Sequence, residues 1–161
     1  MNYITDHSEP KFLVDFMCGR LAKWLRILGY DTEFFKEHSR SKILMQSLQQ
    51  QRIILTRDTK LSSKKAYKIL LIKSDKIRQQ IKQVLKELNL KIDKEKFFTI
   101  CSICNKKVLP ADKESIKSFV PAYIYETQNE FYQCPQCKRI YWQGSHLELF
   151  NKEIEEILGK K

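Results

Sequence analysis

Two hydrophobic periods alternate along residues 12–88. Short, wholly apolar runs, Phe12-Leu13-Val14, Ile53-Ile54-Leu55 and Ile69-Leu70-Leu71-Ile72, predict strands covered on both faces. Between them lie segments with apolar residues at helical spacing. Leu21, Trp24, Leu25 and Leu28 predict a helix over 19–28, with Arg20, Lys23 and Arg26 between them. Gly29 stops it, because glycine tolerates positive φ. Residues 30–35 read as another strand and 43–50 as a second helix. Ile77, Ile81, Val84, Leu85 and Leu88 mark a third helix. Residues 89–95 are polar and charged and read as a linker. Strands alternating with helices predict an α/β fold, a parallel sheet flanked by helices.

Beyond residue 95 the pattern changes, and cysteine replaces periodicity as the main signal. Cys101-Ser-Ile-Cys104 and Cys134-Pro-Gln-Cys137 are two matched pairs. Each Cys-x-x-Cys turn aims two thiolates at one point, and two turns close a tetrahedral shell around Zn²⁺. The stretch 105–133 has room for a short β-hairpin, as in a zinc ribbon. A closed four-cysteine site keeps no open position, so this zinc is structural and the chemistry lies elsewhere. A unit this small buries little apolar surface, and metal binding supplies much of its folding free energy. Cys18 is the fifth cysteine and reads as a small packing residue. The division expected is 11–95 for the α/β domain and 96–161 for the ribbon with a C-terminal helix. Ser145 is the expected cap of that helix, with Glu148 three residues on. No secretory pattern opens residues 1–10 and no apolar run is long enough to span a bilayer, so a reduced cytoplasmic protein without membrane contact is expected.

Charge adds a partner class. The chain of 161 residues carries 30 Lys+Arg against 19 Asp+Glu, a formal +11. Residues 1–95 hold 20 basic and 11 acidic side chains, and the remainder 10 and 8. The excess lies in the first part and favours a polyanion such as nucleic acid, with a membrane surface or plain solubility as the alternatives. Acids, though fewer, fall at informative places. Asp15, Asp58 and Asp75 all follow apolar strands, and a parallel sheet gathers such ends on one edge, where ligands bind. Carboxylates gathered there repel unless a cation sits between them, and Mg²⁺ or Mn²⁺ suits oxygen ligands. Acids beside a basic surface suit a metal-dependent phosphodiesterase. An Asp after a strand also serves as a helix cap or turn residue. Arg20 and Arg57 either clamp phosphate or pair with the carboxylates. In the ribbon, Tyr123, Tyr125, Phe131, Tyr132, Tyr141 and Trp142 cover the small core, with one or two left to stack on bases.

The segment running from Phe12-Leu-Val-Asp15 through Gly19-Arg-Leu-Ala-Lys-Trp-Leu-Arg-Ile-Leu-Gly-Tyr-Asp31-Thr32 resembles the opening signature of the Mut-seven C-terminal RNase domain family. Ile54-Leu-Thr-Arg-Asp58 is similar to its second signature and Leu71-Ile-Lys-Ser-Asp75 to its third. The paired cysteines and the run from Glu130 to His146 resemble its ribbon. The resemblance implies a PIN-like nuclease domain followed by a zinc ribbon, with RNA as substrate. It implies Asp15, Asp58 and Asp75 as catalytic acids holding Mg²⁺ or Mn²⁺, and Arg20, Arg57 and Lys23 as RNA-binding residues. One departure stands out. Where the family carries a cluster of Asp, this chain has Lys36-Glu37-His38-Ser39-Arg40-Ser41-Lys42, leaving Glu37 as the one acid. Two readings follow: a divalent-metal ribonuclease using Glu37, or a non-catalytic protein on a degenerate PIN-like fold that binds RNA, tRNA or the ribosome.

Overall fold

The computed structural model describes residues 8–159, apart from the side chain of Ser145. The reading of residues 1–10 therefore falls mostly outside the described residues. Four strands form a parallel sheet: β1 (Lys11–Asp15), β2 (Thr32–Phe35), β3 (Arg52–Thr56) and β4 (Lys68–Leu71), in the order β2-β1-β3-β4. The connections are α1 (Gly19–Ile27) and α2 (Arg40–Gln50), then a turn-rich segment before β4, with α3 (Ile77–Glu87) after it. The apolar runs of β1 and β3 are buried because both faces of the sheet are covered there, whereas that of β4, an edge strand, is only partly buried apart from Ile72. Phe12, Val14, Ile53 and Leu55 face one core, which α1 and α3 complete with Leu21, Leu25, Ile81 and Val84. Leu13 and Ile54, of opposite parity, face a second core with Phe35, Ile43 and Leu61. Fully burying each such side chain contributes about 1.5–3 kcal/mol.

A second sheet is antiparallel: β5 (Leu109–Ala111), β6 (Phe131–Gln133) and β7 (Ile140–Trp142). Within 105–133, where a short hairpin is expected, β5 and β6 do pair antiparallel, though through a long connection; the tight hairpin is β6–β7, with Cys134 and Cys137 in its turn. The stretch between the pairs holds a 3₁₀ segment (Glu114–Phe119) and the short helix α4 (Ala122–Thr127). Ile116, Val120 and Phe131 form the ribbon's own core.

Two further expectations are modified. Residues 89–95 do more than link: Leu90 and Ile92 pack on the main core, and the Lys91 carbonyl accepts a 2.5 Å bond from the Tyr30 hydroxyl. The last helix, α5 (Ser145–Ile157), begins one residue earlier than read, with Gly144 as its N-cap. Its Phe150, Ile154 and Ile157 return to the core of the first sheet, and Phe150 stacks on Trp24 at 5.1 Å. No described helix is long and apolar enough to cross a membrane.

Candidate active site and metal centre

The chain leaves β1 for β2 on one side and reaches β3 on the other. This makes β1 and β3 a topological switch point, beyond whose carboxyl ends a crevice opens. Asp15 ends β1 and Thr56 ends β3. Both share parity with Leu13 and Ile54, which places them on the α2 side. Asp15 is only 4% exposed. Its Oδ1 accepts the N–H of Met17 at 2.9 Å, and its Oδ2 accepts the Thr56 hydroxyl. Thr56 Oγ1 accepts the N–H of Asp58 at 2.9 Å, so one threonine ties both acidic segments together. Burial pushes the Asp15 carboxyl above its ordinary range; the two hydrogen bonds oppose that shift, and the Asp58 charge adds to it.

Asp58 is more open, and two of its contacts come from cations or backbone. Arg40 Nε donates to Asp58 Oδ2 at 2.7 Å, and the Lys60 N–H donates to Oδ1 at 3.0 Å. The Arg40 hydrogen bond is the main reason that Asp58 sits below the ordinary carboxylate range. Arg40 is the first residue of α2, which Ser39 caps by accepting the Lys42 N–H at 3.3 Å. The cleft has a volume of about 390 Å³ and is lined by Asp15, Phe16, Glu37, His38, Arg40 and Asp58, among others. Phe16 is exposed and stacks on His38 with ring centroids 3.9 Å apart. Glu37 lines the cleft but pairs with Lys42 at 2.9 Å.

Asp75 stands apart. It lies past the end of β4, is exposed, and does not line the cleft. Among the described residues, Asp15, Asp58 and Asp75 do not form a group with ligand oxygens within 4.8 Å of one another. The chain continues past β4 before reaching Asp75, and the Ile72 N–H there donates to the Thr56 carbonyl at 2.7 Å. Arg20, Lys23 and Arg57 are exposed and make no ion pair among the described residues. Cys18 is buried, which pushes its thiol up to about 12 and leaves it unreactive.

The four paired cysteines do converge, with sulfurs all within 4.8 Å of one another. Cys101 Sγ lies 3.7 Å from Cys137 Sγ. A tetrahedron with Zn–S bonds of about 2.3 Å has an edge of roughly 3.8 Å, so this donor set fits such an ion. The two turns are built alike. The N–H of Cys101 donates to the Lys106 carbonyl at 2.8 Å, and that of Cys134 to the Arg139 carbonyl at 2.9 Å. Asn105 and Lys138, each following the second cysteine of its pair, have φ of 57° and 64°. Burial opposes ionisation of Cys101, but bonds from the Tyr141 hydroxyl and from backbone N–H groups win, and its thiol falls to about 7. Arg26 joins this centre to the first sheet. Its Nε donates to the Thr32 carbonyl at 2.8 Å, and its Nη1 to the Ser102 and Ile103 carbonyls at 3.1 Å each.

The Mut7-C RNAse domain family matches residues 10–154 of this sequence. The chain belongs to that family. No curated protein and no solved structure matches it. A Mut7-C RNAse domain carries a nuclease-like, RNA-related role, and the matched span includes a four-cysteine centre able to hold a metal ion such as zinc. Within this Mut7-C RNAse domain, Arg40 is the residue that sequence reading missed. Its only signal was position, one basic residue after a Ser cap where the family carries acids. His146, at the end of the ribbon's motif run, packs edge-on to Phe98 at 5.1 Å and Trp142 at 6.0 Å.

Proposed function

We propose that this protein is a divalent-metal-dependent ribonuclease whose active site is the cleft between β1, β3 and α2. The observation that carries the reading is the pairing of Asp15 and Asp58 through Thr56 at the switch point of a Mut7-C RNAse domain. Mg²⁺ is commonly held by one or two carboxylates, with water and substrate phosphate completing its shell. Asp15 and Asp58 suit that role, with Glu37 at the rim and Asp75 further out as an outer acid. Bound there, Mg²⁺ or Mn²⁺ supplies water activation and charge stabilisation at the leaving oxygen. Arg40 must release Asp58 for the site to fill. It then faces an incoming phosphate at the N-terminus of α2, where backbone N–H groups also favour an anion. Arg20, Lys23 and Arg57 hold the flanking phosphates. Zn²⁺ in the four-cysteine centre keeps the ribbon folded, and the ribbon assists RNA binding from its position beyond residue 95.

The ion pairs favour a second reading. Arg40 on Asp58 and Lys42 on Glu37 neutralise two acids with the protein's own cations. A cleft so neutralised binds RNA, tRNA or a ribosomal surface without cutting it. Incubation of total RNA with the protein and Mn²⁺, beside Asp15→Asn, separates the two. The nuclease reading requires fragments that vanish with the variant or with chelator. Retained RNA with equal binding by both proteins sinks it and leaves the binding role.

A further inference from the structure

The hairpin β6–β7 has two faces of different use. Phe131, Ile140 and Trp142 turn to the ribbon core. Tyr132 and Tyr141 pair directly across the strands and stand on the other face. There they line a pocket of about 140 Å³, with Phe98, Glu95 and Gln143 as further walls; Trp142, the last residue of the edge strand β7, borders both the ribbon core and this pocket. Drug-sized sites run to roughly 300–1,000 Å³, so this one suits a single planar ring system. The walls are held in place. The Tyr141 hydroxyl donates to Cys101 Sγ and accepts the Ser102 N–H, both at 3.1 Å. Phe98 adopts φ 59°, a left-handed conformation rare for a bulky side chain, and is fixed by its N–H bond to the Ile27 carbonyl at 2.9 Å.

We infer that this aromatic pocket is a binding site for one unpaired nucleobase bearing an exocyclic amino group. Aromatic rings stack on any base, while the rim decides which edge is accepted. Glu95 is a pure acceptor and Gln143 both accepts and donates, which matches an amino group beside a ring nitrogen. Both side chains are exposed, and neither makes a hydrogen bond or ion pair among the described residues. The site lies apart from the acidic cleft and shares no lining residue with it. As an account of how single-stranded RNA is engaged, it rests on the RNA reading above; as a binding site it stands alone.

Trp142 and Trp24 are the two tryptophans of the chain, so Trp24→Phe leaves Trp142 as the one emitter. Adenosine monophosphate should quench that emission saturably, and adding Tyr132→Ala should weaken the effect about tenfold or more. Single-stranded oligoadenylate, followed by anisotropy, reads RNA binding separately. Oligoadenylate that binds while Trp142 stays silent to both probes overturns the pocket and spares the cleft. Quenching by the mononucleotide without oligoadenylate binding upholds the pocket and removes the RNA reading. Photolabelling of the unaltered protein with azidoadenosine monophosphate covers any folding defect of the variants. Label on the peptides holding Tyr132 or Trp142 supports the site, and label confined elsewhere overturns it.

Discussion

Asp15 is buried at a cost that its two hydrogen bonds do not remove. Its carboxyl titrates above the value of an unfolded Asp, about 3.9. The folded state therefore holds that proton more tightly. Its contribution to stability is full below the unfolded value and is lost as pH rises through the shifted one. Asp15→Asn should raise the thermal midpoint at neutral pH and flatten its fall across this window, while abolishing Mn²⁺-dependent cleavage. A lower midpoint at neutral pH would contradict the burial argument. Asp58 has the opposite sign, being held down chiefly by Arg40. That stabilisation is present above the unfolded value and lost as pH falls. Arg40 is 52% exposed, so Arg40→Ala should cost no more than about 1 kcal/mol. The same variant should bind Mn²⁺ more tightly by calorimetry, because it frees Asp58 Oδ2. Unchanged Mn²⁺ affinity would mean that Arg40 does not guard the site.

The two cysteine turns are equivalent in backbone and unequal in side chain. Lys138 bears a left-handed φ, and its side chain makes no hydrogen bond or ion pair among the described residues. Lys138→Gly should stabilise the metal-loaded protein by up to about 1 kcal/mol, because relief of a left-handed penalty of roughly 1–2 kcal/mol outweighs the chain entropy that glycine loses on folding. Asn105 has nearly the same φ but uses its amide fully. Its Oδ1 accepts the Thr32 N–H at 2.8 Å, and its Nδ2 donates to Asp31 at 2.7 Å and Glu33 at 3.2 Å. Asn105→Gly should therefore destabilise by roughly 1–3 kcal/mol, despite the relieved backbone. Urea titration of both variants in the presence of zinc compares them directly; shifts of the same sign would refute the distinction.

Across the whole molecule, the ribbon is fastened to the sheet domain by several contacts: Phe97 enters the main core and the Phe98 N–H donates to the Ile27 carbonyl. Arg26 and Asn105 hold the first cysteine turn against the start of β2, and α5 returns to the main core through Phe150, Ile154 and Ile157. We propose the division at residue 95 as one of chemistry, nuclease-like before and metal-held after, with α5 as a strap across it. Stripping the metal should erase hydrogen-exchange protection from about residue 101 to 142 and leave α5 and the four-stranded sheet protected. Loss of α5 together with the ribbon would refute the strap. Arg26→Met removes charged bonds to three buried or half-buried carbonyls. It should cost at least about 1.5–3 kcal/mol and loosen zinc retention against a chelator.

The sequence by itself determined the alternating α/β pattern, the four-cysteine set and the family, because each is written in local spacing. Apolar runs and helical periods report burial one element at a time, and Cys-x-x-Cys fixes its own geometry. Gly29, with φ of 94°, ends the turn after α1 as read. What only the tertiary structure decided depends on the order in which strands lie side by side. That order set Asp15 and Thr56 on one edge and left Asp75 outside the cleft. The meeting of Arg40 with Asp58, 18 residues away, was equally invisible, since an exposed Arg at a helix start has no pattern to announce its partner. Arg26 reaching Ser102, 76 residues on, and Tyr141 reaching Cys101 follow from the docking of separate units. Spacing encodes what a segment hides from water; only the packed chain determines which polar groups then face one another.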